Sequence, residues 1–177
     1  MVPIALESRL IPFALKGTDG RVHHADDSAK AKVFGVIFHC NHCPYAQAWE
    51  SRLIQVQRDY AGRGVQLVLI NANDPVKYPG DSFEQMQRRA QDKQYPFPYL
   101  VDETQEVAKQ YGATRTPEIF LFDEKRILRY HGAPDDNYED VNAVRQPYLR
   151  DALDALLAGT APRIRETKPV GCTIKWK

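Results

Sequence analysis

The sequence predicts an α/β fold in which a central mixed sheet is flanked by helices. Two apolar runs of strand length, Val33–Phe38 and Val65–Ile70, are rich in β-branched and aromatic residues, which is typical of strands buried on both faces of a sheet. Between them lies a segment with helical periodicity. A strand, a helix and a second strand in this order predict two parallel strands joined by a right-handed crossover.

The crossover helix is predicted to begin after Cys43. Pro44 is well suited to a first helical turn, because the N–H that proline lacks has no intrahelical partner there. Apolar residues then recur at spacings of four, three and four positions and form one helix face: Trp49, Leu53, Val56 and Tyr60. Gly62 and Gly64 follow and indicate the end of the helix.

Shorter elements surround this unit. Asp81 and Glu84 resemble a capping box and predict the start of a second helix. The other predicted elements are an N-terminal hairpin (Phe13–Val22), a strand (Tyr99–Val101), a short helix from Asp102 to near Gly112, a hairpin (Ile119–Phe122 and Ile127–Tyr130) and a last helix (Leu149–Leu157). The length of 177 residues favours a single domain, with a core over about residues 10–158 and an irregular basic tail over 159–177.

The composition is that of an ordinary soluble globular protein, with 43% hydrophobic and 27% charged residues. A net charge of +1 provides no field that would attract nucleic acid or anionic lipid. No apolar run approaches the ~18 residues of a membrane span, and Met1–Leu15 lacks the apolar core of a secretory signal. We therefore expect a cytoplasmic protein without nucleic-acid or membrane partners, although an exported chain that has lost its leader would have the same composition.

Two of the three cysteines, Cys40 and Cys43, are separated by two residues, and in a reducing compartment such a pair is redox-active or binds a metal. Cys40 is expected just before the first helical turn, where free N–H groups and the helix dipole stabilise a thiolate. Cys43, one turn later, is close enough to resolve a mixed disulfide. We expect Cys40 to be the exposed nucleophile and Cys43 the more buried resolving thiol, with His42 lowering the pKa of Cys40.

Other interpretations of this segment stay open. The two cysteines can simply pack at a strand-to-helix junction, and His39, Cys40, His42 and Cys43 can supply metal ligands. Against zinc, all four fall within five consecutive positions, whereas structural zinc sites draw ligands from two separated segments. Haem attachment is disfavoured because Pro44, not histidine, follows Cys43. We expect neither a metal nor another cofactor.

The segment Cys40-Asn41-His42-Cys43-Pro44, together with Thr116-Pro117, resembles the thioredoxin superfamily, in particular its redoxin branch of peroxiredoxin-like proteins and bacterial thiol-disulfide oxidoreductases. The resemblance spans about Phe13–Leu157 and implies a thioredoxin-like fold. It also implies that Pro117 is a cis-proline facing the dithiol and that Thr116 presents its backbone to a substrate. The implied activity is thiol-disulfide exchange on protein or small-molecule disulfides, with an electron donor and an oligomeric state that the sequence does not identify.

Two departures from the family pattern bear on the activity. Peroxiredoxins place a threonine three positions before the catalytic cysteine, where this chain has Ile37. This difference argues against peroxidase activity, which stays as an alternative function. Many thioredoxins place a buried aspartate six positions before the first cysteine, where this chain has Phe34, so the resolving step needs another base or water.

Cys172 lies in a tail, Gly171–Lys177, that is similar to the tail of a group of uncharacterised peroxiredoxin-like proteins. Two interpretations of this residue stay open. A free cysteine often behaves as a small apolar residue, which fits a tail docked on the domain. Alternatively, Cys172 is a third redox partner that exchanges with Cys40 when the tail folds over the site, with Trp176 as its anchor.

Overall fold

Nine strands and four helices make up the computed structural model, which describes residues 1–177. The strands are β1 (Ala14–Gly17), β2 (Val22–His24), β3 (Val33–Phe38), β4 (Val65–Asn71), β5 (Tyr99–Val101), β6 (Arg115–Thr116), β7 (Glu118–Phe122), β8 (Leu128–Gly132) and β9 (Cys172–Thr173). The helices are α1 (Pro44–Tyr60), α2 (Phe83–Asp92), α3 (Glu106–Tyr111) and α4 (Tyr148–Leu157).

Seven strands form one mixed sheet in the order β2-β1-β5-β4-β3-β7-β8. The central strand β3 pairs in parallel with β4 and antiparallel with β7, and its bounds are those that the sequence predicts. The predicted N-terminal hairpin is present as β1 and β2, and β1 joins the sheet by pairing with β5. The second predicted hairpin is present as β7 and β8.

Each face of the sheet carries its own hydrophobic core. Successive side chains of a strand point to opposite faces, so Ile37 packs in one core and Phe38 in the other. The Ile37 core contains residues of α1, α2 and α4, and the Phe38 core contains residues of α3. Because both faces are covered, all six residues of β3 are buried. Each large apolar side chain buried in this way contributes about 1.5–3 kcal/mol.

Helix α1 begins at Pro44, as predicted, and its N-cap residue is Cys43. Its buried face contains the four apolar residues that the spacing predicts: Trp49, Leu53, Val56 and Tyr60. None of the helices has both the length and the apolar character that a membrane crossing requires.

Two predictions about local structure are wrong. Asp81 does not cap α2; the N-cap is Ser82, whose hydroxyl oxygen accepts a hydrogen bond from the Gln85 backbone N–H at 3.3 Å. The Asp81 side chain instead turns into the interior, where it is only 2% exposed. The tail is not wholly irregular either, because β9 pairs antiparallel with β6 and Ile174 is buried.

Candidate active site

The two cysteines lie between the end of β3 and the start of α1, facing the segment that precedes β7. Cys43 Sγ lies 3.2 Å from the Thr116 carbonyl oxygen, and Cys40 Sγ lies 3.3 Å from Thr116 Oγ1. The peptide bond between Thr116 and Pro117 is cis. The structure thus brings Cys40, Cys43 and the Thr116–Pro117 segment together, although 73 residues separate Cys43 from Thr116.

The prediction that Cys40 is exposed is wrong. Cys40 is 1% exposed and Cys43 is 0% exposed, and both are free thiols. They form a small cluster with Ala46, against which Tyr45 and Cys172 pack. Residues remote in sequence therefore cover the dithiol, and spacing within the motif contains no information about this cover.

The charge of the dithiol is also distributed differently from the prediction. Interaction with the Cys40 thiol lowers the pKa of Cys43 to about 4; burial opposes this shift, while the Cys172 thiol and the Ala46 backbone N–H favour it. The pKa of Cys40 is raised by its interaction with Cys43, by burial and by the charge of Asp81. The two thiols therefore titrate as one coupled pair, in which the thiolate is favoured on Cys43 over Cys40.

The position of the helix start acts in the same direction. The unpaired N–H groups and the positive end of a helix dipole act within the first turn. Because α1 begins at Pro44, the residue at its mouth is Cys43, whereas Cys40 lies three positions further out. Thiolates at helix N-termini are stabilised by this environment, so the helix favours the second sulfur of the motif.

His42 does not make the predicted contact with Cys40. Its Nδ1 pairs with the carboxylate of Asp81, and its ring stacks on Tyr78 with 5.2 Å between ring centroids. The side chain is 34% exposed. His42 thus pairs with Asp81 rather than forming a hydrogen bond to Cys40, although ligand atoms of His42 and Cys40 lie within 4.8 Å of each other.

Asp81 is a site residue that the sequence analysis missed. Its Oδ1 accepts hydrogen bonds from the Asn41 backbone N–H at 2.6 Å and from Asn71 Nδ2 at 3.2 Å. Its Oδ2 accepts from Asn73 Nδ2 at 2.9 Å and pairs with His42. Asp81 thereby fixes both residues between the cysteines.

A signal for this network was present in the sequence. The polar run Asn71-Ala72-Asn73-Asp74 comes at the end of β4, which is parallel to β3. The carboxyl ends of neighbouring parallel strands meet at one edge of the sheet, where ligand sites of open α/β sheets occur. These polar side chains were therefore to be expected beside the dithiol.

His39 is a buried residue without a polar partner. The residue is 0% exposed, and neither ring nitrogen has a hydrogen-bond partner. Burial lowers the pKa of His39 to about 4, so the ring is neutral at physiological pH. It packs edge-on against Tyr99, with 6.0 Å between the ring centroids. His39 thus fills the interior as an uncharged aromatic group.

One set of possible metal ligands is present, and it differs from the set considered from the sequence. Ligand atoms of Cys40, His42 and Asp81 lie within 4.8 Å of one another. His42 and Asp81 already pair with each other, and the Cys40 thiol interacts with Cys43 and Thr116. These three donors are satisfied by one another and by their neighbours.

The solved structures that are similar over nearly the whole chain include two bacterial proteins. An uncharacterized conserved protein from Geobacillus kaustophilus is 40% identical, with a TM-score of 0.93 over 98% of this chain and 93% of that chain. A hypothetical protein from Sinorhizobium meliloti 1021 is 35% identical, with a TM-score of 0.93 over 98% of this chain and 96% of that chain. No curated protein sequence matches the chain.

More distant structures support the fold. A thiol:disulfide interchange protein of the thioredoxin family from Chlorobium tepidum TLS is 18% identical, with a TM-score of 0.65 over 87% of this chain and 99% of that chain. The predicted α/β, thioredoxin-like fold is confirmed by this likeness. The sequence model of the AhpC/TSA family matches residues 7–131. Membership in this family indicates thiol-based redox chemistry. With more than half of its residues matched, the chain belongs to the AhpC/TSA family.

Proposed function

We propose that this protein is a thiol-disulfide oxidoreductase that uses Cys40 and Cys43 as its dithiol. The observation that carries the proposal is the contact between the two thiols, one of which has a lowered pKa, beside Thr116. A low-pKa thiolate is the attacking species in thiol-disulfide exchange, and an adjacent thiol resolves the mixed disulfide. The substrate is a disulfide in a protein or a small molecule, and a separate electron donor reduces the dithiol again.

The proposed reaction begins at Cys43, which reverses the order expected from the sequence. The Cys43 thiolate attacks one sulfur of the substrate disulfide, the substrate S–S bond breaks, and the departing thiolate takes a proton from water. Cys40 then attacks the Cys43 sulfur, and the second substrate thiolate leaves with the proton of Cys40. The dithiol has then lost two electrons, and it stays a Cys40–Cys43 disulfide until the donor reduces it.

Three neighbouring residues have positioning roles in this proposal. Asp81 disfavours an anion on Cys40, which keeps the resolving thiol protonated until the mixed disulfide has formed. Thr116 contacts both sulfurs, and Pro117 fixes the course of the chain beside it. Two cysteines so close in sequence suit a reducing compartment, and we propose the cytoplasm.

Serine variants of the cysteines test this proposal. In Cys40→Ser combined with Cys172→Ser, which leaves no second thiol beside Cys43, Cys43 is expected to attack insulin or a small aromatic disulfide and to accumulate the mixed disulfide, which mass spectrometry detects. Cys43→Ser is expected to abolish exchange. The reverse pattern would assign the attack to Cys40, and wild-type rates of insulin reduction in both variants would refute a dithiol mechanism.

Membership in the AhpC/TSA family favours a second candidate function, the reduction of hydroperoxides. A low-pKa Cys43 would be oxidised by a peroxide to a sulfenic acid, which condenses with the Cys40 thiol to give the same disulfide and water. The two functions are separated by the rate at which hydrogen peroxide oxidises the reduced protein. A rate close to that of free cysteine excludes the peroxidase, and sulfenic acid accumulating in Cys40→Ser combined with Cys172→Ser supports it.

The Cys40, His42 and Asp81 donor set is the observation that favours a metal-binding function. Metal analysis of protein purified without chelators tests this third candidate. Stoichiometric zinc that is lost in Asp81→Asn would support it, and a metal-free protein that is active in exchange would exclude it.

A further inference from the structure

The C-terminal tail is docked on the dithiol rather than free beside it. Strand β9 pairs antiparallel with β6, and Cys172 lies opposite Thr116, the residue that contacts both active-site sulfurs. Gly171 permits this approach, because a Cβ at that position would lie 2.1 Å from the Thr116 carbonyl oxygen. The tail is also tied to the segment after β4, since the Lys175 backbone N–H donates to Asn73 Oδ1 at 2.8 Å.

This docking places a third sulfur next to the other two. The Cys172 thiol and the Cys172 backbone N–H both interact with Cys43 Sγ, and Cys172 packs against the Cys40–Cys43 cluster. Cys43 therefore lies between Cys40 and Cys172. The two cysteines of the motif are buried, whereas Cys172 is partly exposed. Cys172 is thus the most accessible of the three sulfurs.

We infer that Cys172 is a third redox-active thiol, which exchanges with the Cys40–Cys43 disulfide and carries its oxidation to the protein surface as a Cys43–Cys172 disulfide. The inference rests on the proposed function, which supplies the Cys40–Cys43 disulfide. The Cys172 thiolate attacks the Cys43 sulfur, the Cys40–Cys43 bond breaks, and Cys40 leaves as a thiolate that takes up the proton lost by Cys172. One S–S bond is exchanged for another, so no additional oxidant is required.

The groups around Cys172 affect its pKa differently before and after the Cys40–Cys43 disulfide forms. In the reduced protein, burial and the neighbouring Cys43 raise the pKa of Cys172 to about 11, while Lys175 and Arg115 act in the opposite direction. Once Cys43 is bonded to Cys40 it carries no charge, and its effect on Cys172 disappears. The two cations remain and favour the Cys172 thiolate. Burial still raises the pKa of Cys172, but the second cause that raises it is gone once there is a disulfide for Cys172 to attack.

The test uses the full-length chain and three serine variants. The reduced proteins are oxidised with excess oxidised dithiothreitol and digested with trypsin without reduction, and the cross-linked peptides are identified by mass spectrometry. Residues 33–52 contain both cysteines of the motif, and residues 166–175 contain Cys172. Cys40→Ser is expected to give the cross-link between these peptides. Cys43→Ser, the matched control with an equal number of thiols, is expected to lose it.

The outcomes separate the inference from the proposed function. If Cys40→Ser gives no cross-link while Cys172→Ser still forms the Cys40–Cys43 disulfide, the inference is wrong and the proposed function stands. If Cys172→Ser forms no disulfide at all, the proposed function fails and the inference fails with it. Equal cross-linking in Cys40→Ser and Cys43→Ser would mean that a mobile tail meets either sulfur, which would also overturn the inference.

Discussion

Replacing Asp81 with asparagine is expected to destabilise the protein through the segment between the two cysteines. The Asp81 carboxylate accepts four hydrogen-bonding groups: the Asn41 backbone N–H, the side-chain amides of Asn71 and Asn73, and the His42 ring. An asparagine side chain keeps one acceptor oxygen and turns an NH2 group toward two of these donors. Two charge-assisted bonds are therefore lost, and two of the four donors face another donor.

The magnitude follows from the number and burial of these bonds. A hydrogen bond to a charged group contributes about 1.5–3 kcal/mol, so two such bonds give about 3–6 kcal/mol. The lower end applies because His42 is 34% exposed and water can replace part of its contact. We expect a loss of about 3 kcal/mol in the free energy of unfolding, a large fraction of the ~5–15 kcal/mol typical of a domain.

Urea unfolding of the reduced protein measures this loss by linear extrapolation. Ser82→Ala is the matched control, because Ser82 is the adjacent residue and caps α2 without bonding to the dithiol segment. Loss of a helix N-cap costs about 1 kcal/mol. If Asp81→Asn costs no more than Ser82→Ala, Asp81 does not hold this segment in place and its assignment as a site residue is wrong.

The other predictions concern the tail, the thiolate and the buried histidine. Gly171→Ala should displace β9 from Thr116, since the added Cβ would lie 2.1 Å from the Thr116 carbonyl oxygen. The two motif cysteines should then be alkylated faster than in the control Gly62→Ala, where an added Cβ meets no neighbouring atom. Equal alkylation rates would contradict a tail that covers the dithiol. The pKa of Cys43 is lowered from 9.0 to about 4, and a lowered pKa contributes stability that is lost as the pH falls through it. The unfolding free energy of the reduced wild type relative to Cys43→Ser should therefore rise between pH 4 and pH 9, and a flat difference would remove the thiolate from Cys43. His39→Phe replaces unpartnered ring nitrogens with apolar atoms, so the urea midpoint should be unchanged or raised; a large decrease would reveal a polar role for His39.

The parts of the fold that the sequence predicts are those set by local patterns. Continuous apolar runs identify β3 and β4, and a proline followed by apolar residues at helical spacing identifies α1. Each of these signals lies within the element that it predicts. The order strand, helix, strand then predicts the parallel pairing of β3 and β4, because a helical crossover returns the chain to the same end of the sheet.

The error at Asp81 has a physical cause that local reasoning does not contain. Aspartate and serine are both good N-cap residues, and Asp81 and Ser82 are neighbours, so sequence alone does not choose between them. The choice is made by a backbone N–H 40 residues away, at Asn41. Because the Asp81 side chain turns inward to accept this hydrogen bond, Ser82 becomes the N-cap of α2.

The dithiol illustrates how little of a site's chemistry is fixed by the spacing of its residues. Two cysteines separated by two residues predict that the sulfurs meet, and they do, but the spacing does not decide which sulfur carries the charge. That depends on the interaction between the two thiols and on where the helix begins, because with Cys43 as the N-cap of α1 the dipole and the first-turn amides act on the second cysteine. A third sulfur from the far end of the chain then adds to the same effect. The order of attack at a Cys-x-x-Cys motif must therefore be argued from the helix start and from the cover over the site, both of which are properties of the folded chain.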